Sequence, residues 1–290
     1  MLSNQLFNIM LRHIKTVISI LKEREHPLKI IWAYVLLRTG LNRYVKIKQN
    51  GYKINLSQSN LAITLFGNKN YGHEDEGFLR KTLKPNDTYI DVGANIGTLV
   101  LTGAICVGNE GKVIGIEAHP NTFNVLQANV NLNSFNNIKL INSAVGNEKG
   151  TLHFSDAKSD DSNKILLNSD EGVKVAVNTL DMLLKEIKHI DLLKIDVEGF
   201  EKQVFEGATQ TLNKTSLIYF ESFERNFTNY NYHTGDLIKL LNDSGFFVYK
   251  MINLQQLQLL DINYKSEICE NLVATKHASS LENTYNFEII

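Results

Sequence analysis

The polar and apolar positions change period along the chain, and each change marks a different kind of element. Leu6, Met10, Ile14, Val17 and Leu21 recur at helical spacing and predict an amphipathic helix over Leu6–Leu21. The apolar run Ile30–Leu37 predicts a second helix reaching Arg38. Tyr44–Leu56 alternates instead, with Val45, Ile47, Ile54 and Leu56 set between Lys46, Lys48, Lys53 and Asn55. Asn50–Gly51 lies between the two arms and accepts positive φ at both turn positions, so a β-hairpin is expected. From Lys84 onward, apolar strands (Thr88–Val92, Val113–Glu117, Ile138–Val145, Leu192–Val197, Leu217–Glu221) are interleaved with helical stretches. Those are Gly97–Val107, Thr122–Asn133, Glu201–Leu212 and Thr234–Ser244. The alternation implies βαβ units and an α/β fold, a mostly parallel sheet with helices on both faces. It breaks between Gly150 and Thr179, where TLHF and VKVAV read as two further strands. The polar stretch Asp156–Gly172 between them reads as a lid or a disordered loop. Phe246–Ile252 and Asn271–Lys276 supply two more strands.

Composition narrows the class. The chain has 290 residues, 43% hydrophobic and 21% charged, enough to bury a core without cross-links and too apolar for disorder. Cys106 and Cys269 are too far apart in sequence for a disulfide framework or a zinc knuckle, so a cytoplasmic location is expected. The longest apolar run has eight residues, against the roughly 20 that a membrane-spanning helix needs. A formal net charge of -1 argues against a nucleic-acid partner. That total hides an asymmetry. Met1–Leu56 carries ten basic and two acidic residues, and the remainder 20 and 29. The basic segment reads either as a helical cap with solvated charges or as a weak contact with a membrane surface or an anionic acceptor. The lack of a long apolar face favours the cap.

Candidate chemistry concentrates at strand ends. Asp91 closes an apolar strand, and a turn with Gly93 and Asn95 follows before a helix opens near Gly97, giving D-x-G-x-N-x-G. Such strand–turn–helix units bind nucleotides at the carboxyl edge of a doubly wound sheet. A pyrophosphate would find Asp91 a poor neighbour, whereas the ammonium group of S-adenosyl-L-methionine would suit it. Glu117 ends the next strand, where a carboxylate can accept both ribose hydroxyls. Asp196 and Glu198, one residue apart near the end of the fourth strand, are expected to share one face and converge on the same edge.

Five blocks now stand in order: IDVGANIGTLVL, GKVIGIEAHPNTFNVLQANVNLN, NSAVGNEKG, VNTLDMLL and LLKIDVEGFEKQVFEGA. Together they resemble the FkbM-type methyltransferases over roughly Tyr71 to Glu221. The resemblance implies a Rossmann-like class I methyltransferase fold with a seven-stranded, mostly parallel sheet and an antiparallel last strand. Residues 71–290 would form this domain, and residues 1–70 a small helical and hairpin segment before it. The resemblance also implies S-adenosyl-L-methionine as cofactor, held by Asp91, Gly93, Ala94, Asn95 and Gly97 of the loop. Glu117 and the adjoining Ala118 would take the ribose, and Ser143 and Ala144 would lie by the adenine. Asp196 and Glu198 match the KIDVEG block, and Glu74 follows the aromatic Tyr71 before the first strand. Two departures stand out: Ala118-His119 separates the second-strand acid from Pro120, and Thr98 replaces an aromatic. His119 is read as a partly exposed loop residue.

The reaction this implies is O-methyl transfer to a hydroxyl of a sugar, glycan or secondary metabolite. A weakly nucleophilic hydroxyl benefits from a general base, and Asp196 and Glu221 are the candidates. His233 is read as a capping or surface residue. Asp196, Glu198 and Glu221 are oxygen ligands that would suit Mg²⁺, but cofactor contacts account for them equally, and no metal is assigned. The alternatives are an NAD(P)-linked oxidoreductase, which the loop spacing disfavours, and a binding module that keeps the fold without catalysis.

Overall fold

The computed structural model describes residues 26–154, 165–166 and 172–290. The expected helix Leu6–Leu21 lies outside these residues, as does most of the stretch Asp156–Gly172. The chain enters through a helix, Pro27–Thr39, with proline at its start and Gly40 in the left-handed conformation (φ +71°) at its end. The hairpin follows as β1 (Lys46–Lys48) and β2 (Lys53–Asn55), antiparallel with Lys48 opposite Lys53. Only Gly51 of its turn has positive φ, at +104°, so the doubly left-handed turn expected for Asn50–Gly51 is not formed. Two helices absent from the sequence reading come next, Asn60–Gly67 and His73–Thr82.

The central sheet is built from β3 (Thr88–Val92), β4 (Lys112–Glu117), β5 (Ile138–Asn142), β10 (Ile190–Ile195), β11 (Thr215–Ser222), β12 (Phe247–Met251), β13 (Gln256–Leu259), β14 (Glu270–Thr275) and β15 (Glu288–Ile289). Their order across the sheet is β15-β13-β12-β14-β11-β10-β3-β4-β5. Neighbours from β5 through β11 are parallel, and β14 runs antiparallel to both β11 and β12. The seven strands from β5 to β12 form the expected Rossmann-like class I methyltransferase sheet, and β13 and β15 extend it to nine. The order reverses between β3 and β10, which opens a crevice at their carboxyl ends. One face of the sheet is covered by a cluster containing Leu180, Phe205 and Leu237, the other by one containing Phe78, Val100 and Leu126.

Three expected elements are broken, each for a local reason. Ile138–Val145 divides at Ser143: β5 stays in the central sheet, and β6 (Ala144–Val145) joins a second sheet of order β6-β9-β7-β8. Its other members are β7 (Gly150–Phe154), β8 (Ile165–Leu166) and β9 (Val173–Asn178). Glu201–Leu212 divides into Glu201–Glu206 and Thr209–Asn213 around Gly207, where a Cβ would stand 2.2 Å from the Gly146 carbonyl oxygen. The strand expected over Leu192–Val197 ends at Ile195, so Asp196 and Glu198 lie beyond it.

The N-terminal elements are fastened to the sheet. Ile96 and Leu101 enter the same apolar cluster as Ile47, Ile54 and Ala62. Asn129 is fully buried; its Oδ1 accepts from the Asn55 amide at 2.8 Å, and its Nδ2 donates to Ile96 O at 2.9 Å. One side chain therefore links the hairpin edge to the turn after β3.

Candidate active site

The turn after β3 explains its own sequence. Gly93, Asn95 and Gly97 have φ of +82°, +48° and +94°. Every second residue after Val92 is left-handed, so the D-x-G-x-N-x-G spacing is a backbone requirement that glycine and asparagine meet at low cost. Gly93 has no room for more: a Cβ there would stand 1.7 Å from the Asp196 carbonyl oxygen. The amides of Gly93 and Ala94 donate to Ile116 O at 2.9 and 3.0 Å, and that of Asn95 to Glu117 Oε2 at 2.9 Å. Three successive loop amides are thus engaged within the protein rather than turned toward an anion.

Glu117 ends β4 with its two oxygens accepting from Asn95 and from the His119 amide, the latter at 2.8 Å. Burial pushes its pKa up to about 7 although both amide bonds favour the anion. Each oxygen keeps an unused lone pair for a further donor. The turn after β10 is held differently. The Asp196 amide donates to Val92 O at 3.0 Å, and Glu198 and Gly199 take φ of +55° and +100°. The expectation that Asp196 and Glu198 share a strand face fails here, because a left-handed residue ends the pleat. What shapes this turn is Glu201, which the sequence reading did not select. Its fully buried carboxylate accepts from the amides of Val197 and Gly199 at 3.0 and 3.3 Å and from the Tyr232 hydroxyl at 3.3 Å.

Two cavities flank these turns. The first, about 110 Å³, is walled by Val92, Ile116, Phe154 and Phe200, with Glu117, Ala118, Ser143, Ala144 and Glu198 among its lining. Ser143 is buried with its hydroxyl already bonded to the Ala144 carbonyl at 2.8 Å, so it offers this cavity a wall rather than a free donor. His119 also lines it and is only 3% exposed, which corrects the reading of a partly exposed loop histidine. It directly precedes the helix Pro120–Asn131, with extended backbone (φ -76°, ψ 122°).

The second cavity, about 410 Å³, meets the first along Gly93, Asn95 and Asp196. Asp75, Glu76, Asp91, Asp196 and Glu221 line it, and among its lining residues Lys194 alone is basic. Lys194 and Asp91 are register partners on adjacent parallel strands, so their side chains rise from the same face. The Lys194 ammonium lies 3.4 Å from Asp91 Oδ1 and 3.1 Å from Asp196 Oδ2. Burial works against this ammonium, but Asp196 and then Asp91 outweigh it and hold the lysine above its ordinary value. Asp91 is 1% exposed, neither of its oxygens makes a hydrogen bond, and burial pushes its pKa up to about 6 against the pull of Lys194. Its buried, incompletely satisfied carboxylate and the orphaned Oδ1 of Asn95 would both accept a cationic donor.

Glu221 stands farther along the second cavity. Burial, then the charges of Asp196, Glu198 and Glu201, raise its pKa well above the ordinary carboxyl value, and Cys269 Sγ donates to its Oε1 at 3.1 Å. Asp75 accepts from the Tyr219 hydroxyl at 2.7 Å and from Asn271 at 2.9 Å.

Not every expected residue reaches these cavities. Glu74 is exposed and lines a separate, adjoining cavity, while its neighbours Asp75 and Glu76 face the second; on a helix the position one step on turns by about 100°. Gly97 opens the helix Thr98–Val107 with Leu126 behind it, so its role is backbone shape. His233 precedes the helix Thr234–Asp243, its ring exposed beside Glu224, away from both cavities. Lys194, Asp75, Cys269 and Asn271 are additions to the sequence reading. A lysine inside the apolar strand LLKI was the one signal available, since an interior charge demands a partner.

The FkbM methyltransferase domain family matches residues 91–248. Among solved structures, an FkbM methyltransferase from Methylobacillus flagellatus KT aligns at 16% identity over 74% of this chain and 52% of its own, with a TM-score of 0.41. The chain therefore spans about half the length of that protein. Fibrillarin from Aeropyrum pernix, solved with natively bound S-adenosyl-L-methionine, aligns at 14% identity over 69% of this chain and 73% of its own, TM-score 0.41. Precorrin-6y C5,15-methyltransferase from Geobacter metallireducens GS-15 aligns at 12% identity over 70% and 88%, TM-score 0.41. No curated protein matches the chain. The family match spans more than half of the sequence and runs from the end of β3 through both turns, β4, β10 and β11: the chain belongs to the FkbM family of methyltransferases and uses S-adenosyl-L-methionine as its cofactor.

Proposed function

We propose that the protein transfers a methyl group to a hydroxyl oxygen of an uncharged acceptor, a sugar, glycan or secondary metabolite. The reading rests on the second cavity: it joins the first at Asp196, and its lining carries five acids against one lysine. Such a lining repels phosphate and carboxylate, which disfavours nucleic acid and anionic metabolites and suits a polyol. In this reading Glu117 accepts the ribose hydroxyls, and Ala118, Ser143, Ala144, Phe154 and Phe200 enclose the adenine. Asp91 and Asn95 receive the cationic amino acid end. The bound cofactor supplies an electrophilic methyl carbon. The chain's own task is to orient the acceptor and take its proton, and orientation contributes about 7–11 kcal/mol in reactions of this kind.

Asp196 is the general base in this proposal. It borders both cavities, and Lys194 fixes its carboxylate at 3.1 Å. Glu221, whose carboxyl is raised well above its ordinary value by burial and the neighbouring acids, hydrogen-bonds the acceptor and orients it in this reading. Residues 1–70 are proposed as a cap on the catalytic domain 71–290, and the described part of the cap shares an apolar cluster with Ile96 and Leu101. The test is incubation with deuteromethyl-labelled cofactor and a panel of neutral glycans, phosphorylated sugars and RNA, followed by linkage analysis. Label in methyl ethers of neutral acceptors is expected. Label confined to RNA, to nitrogen or to carbon would overturn the proposal. Asp196→Asn should lower kcat by about 10²-fold or more while cofactor binding persists.

A further inference from the structure

The helix Pro27–Thr39 is apolar on two faces. Ile30, Ala33 and Leu36 are buried, and Ile30 packs against Gly67 of the helix Asn60–Gly67. A second stripe, Leu28, Trp32 and Val35, follows the same helical spacing and is left outside, 76%, 57% and 40% exposed. A helix that is apolar all round needs a second apolar neighbour. Tyr44 and Leu41, just beyond its end, are exposed as well.

Beside this stripe runs a groove of about 560 Å³ lined by Leu28, Trp32, Ile47 and Phe66, with Lys29, Lys46, Lys48 and Lys69 along it. No acid lines the groove, and no Asp or Glu occurs between residues 26 and 73, a span holding seven Lys and Arg. Lys46 is engaged by Asn55, whereas Lys29, Lys48 and Lys69 form no ion pair among the described residues. An exposed aliphatic stripe, an exposed tryptophan and tyrosine, and lysines with no ion pair among the described residues match the chemistry of an anionic bilayer surface. The aromatics and aliphatics suit the headgroup boundary, and the ammonium groups suit lipid phosphates. No helix among the described residues is long and apolar enough to cross a membrane.

We infer that the outer face of Pro27–Thr39 and the lysine groove beside it dock the protein on an anionic membrane surface. The inference is independent of the methyl acceptor. Trp32 is the single tryptophan of the chain and reports on its own surroundings. The full-length protein is titrated with phosphatidylglycerol-containing vesicles and with pure phosphatidylcholine vesicles. Its emission should shift to the blue and the protein should float with the first only, and high salt should reverse both. Lys29→Glu with Lys48→Glu should weaken vesicle binding by at least about tenfold, and Val35→Glu should abolish the blue shift, with S-adenosyl-L-methionine binding unchanged. No shift and no flotation with anionic vesicles would overturn the inference. So would emission already blue-shifted without vesicles and unmoved by them, which would mean that residues 1–25 or a second copy cover the stripe.

Discussion

Glu117 carries a quantitative expectation about how the cofactor binds. Burial pushes its pKa up to about 7 in the free protein, and two backbone amides already lean on its oxygens. Ribose hydroxyls donating to it require the ionised carboxylate, so binding must expel the proton wherever one is present. At pH 6.5 a group with pKa about 7 is protonated in about three quarters of the molecules. Calorimetric titration with S-adenosyl-L-methionine at that pH, in two buffers of different ionisation enthalpy, should therefore report about 0.75 proton released. The sign follows from the direction: the pKa is high when free and lower when bound, so affinity rises with pH. By the same arithmetic the apparent Kd at pH 6 should be about tenfold weaker than at pH 8. Asp91, pushed up to about 6, adds a smaller release at the acid end. Glu117→Gln keeps the shape but removes the titration; it should flatten the profile above pH 6.5 and weaken binding by about tenfold to a hundredfold. Proton uptake on binding, or equal Kd values at pH 6 and pH 8 in the unmodified protein, would refute the assignment of Glu117 to the ribose.

Four further outcomes follow from the same geometry. Gly93→Ala forces a Cβ to 1.7 Å from the Asp196 carbonyl at a φ of +82°, so it should cost about 3 kcal/mol or more, read as a fall in Tm, and loosen both turns together. Lys194→Met leaves Asp91 and Asp196 without their counter-ion and should destabilise by about 3–5 kcal/mol in chemical denaturation; adding Asp91→Asn should recover part of that loss. Burial raises the carboxyls of Asp91, Glu117 and Glu201, to about 6, 7 and 7, so the cofactor-free fold holds protons that the unfolded chain, with carboxyls near 4, has lost. Its Tm should fall as pH rises from about 4.5 to about 7, and saturating cofactor should blunt the fall. Thr64 lines the second cavity and not the first, so Thr64→Trp should abolish methyl transfer while calorimetry still detects cofactor binding, weakened only at its amino acid end.

Sequence spacing exposed what depends on local backbone, and missed what depends on register. Asp91, Gly93, Asn95 and Glu117 were legible because alternate left-handed residues and strand-end acids leave a mark within a few positions. The alternation of strands and helices likewise disclosed the sheet, since both faces must be covered. Lys194 was passed over because its meaning arises only when β10 lies beside β3 and sets it opposite Asp91. Spacing before the first strand does not fix the phase of a helix, so it does not show that Glu74 is exposed while Asp75 lines the second cavity. Ser143, expected beside the adenine, lines the first cavity, but only the structure shows its hydroxyl bonded to the Ala144 carbonyl. The ends of β5 and β10 were extended too far because Val145 and Val197 stay apolar after the chain has left the strand.

The charge asymmetry of the sequence becomes a spatial one through the helix Asn60–Gly67. Asn60, Leu61, Thr64 and Leu65 line the acidic second cavity. Ala62, Ile63 and Phe66 do not line it and join, together with Leu61 and Leu65, the apolar cluster that also holds Ile30, Ala33 and Ile47. Two turns of helix thus separate the acid-lined second cavity from a lysine-lined outer groove. Had these charges been interleaved, the lysines would have neutralised Asp91 and Asp196 and removed the field that favours a cationic cofactor. Inside the cavity only Lys194 does so, and it is pinned between two carboxylates, so the lining keeps a surplus of negative charge. A near-neutral chain can therefore hold a sulfonium in its interior and present ammonium groups outside, because eight residues keep the two charge sets apart.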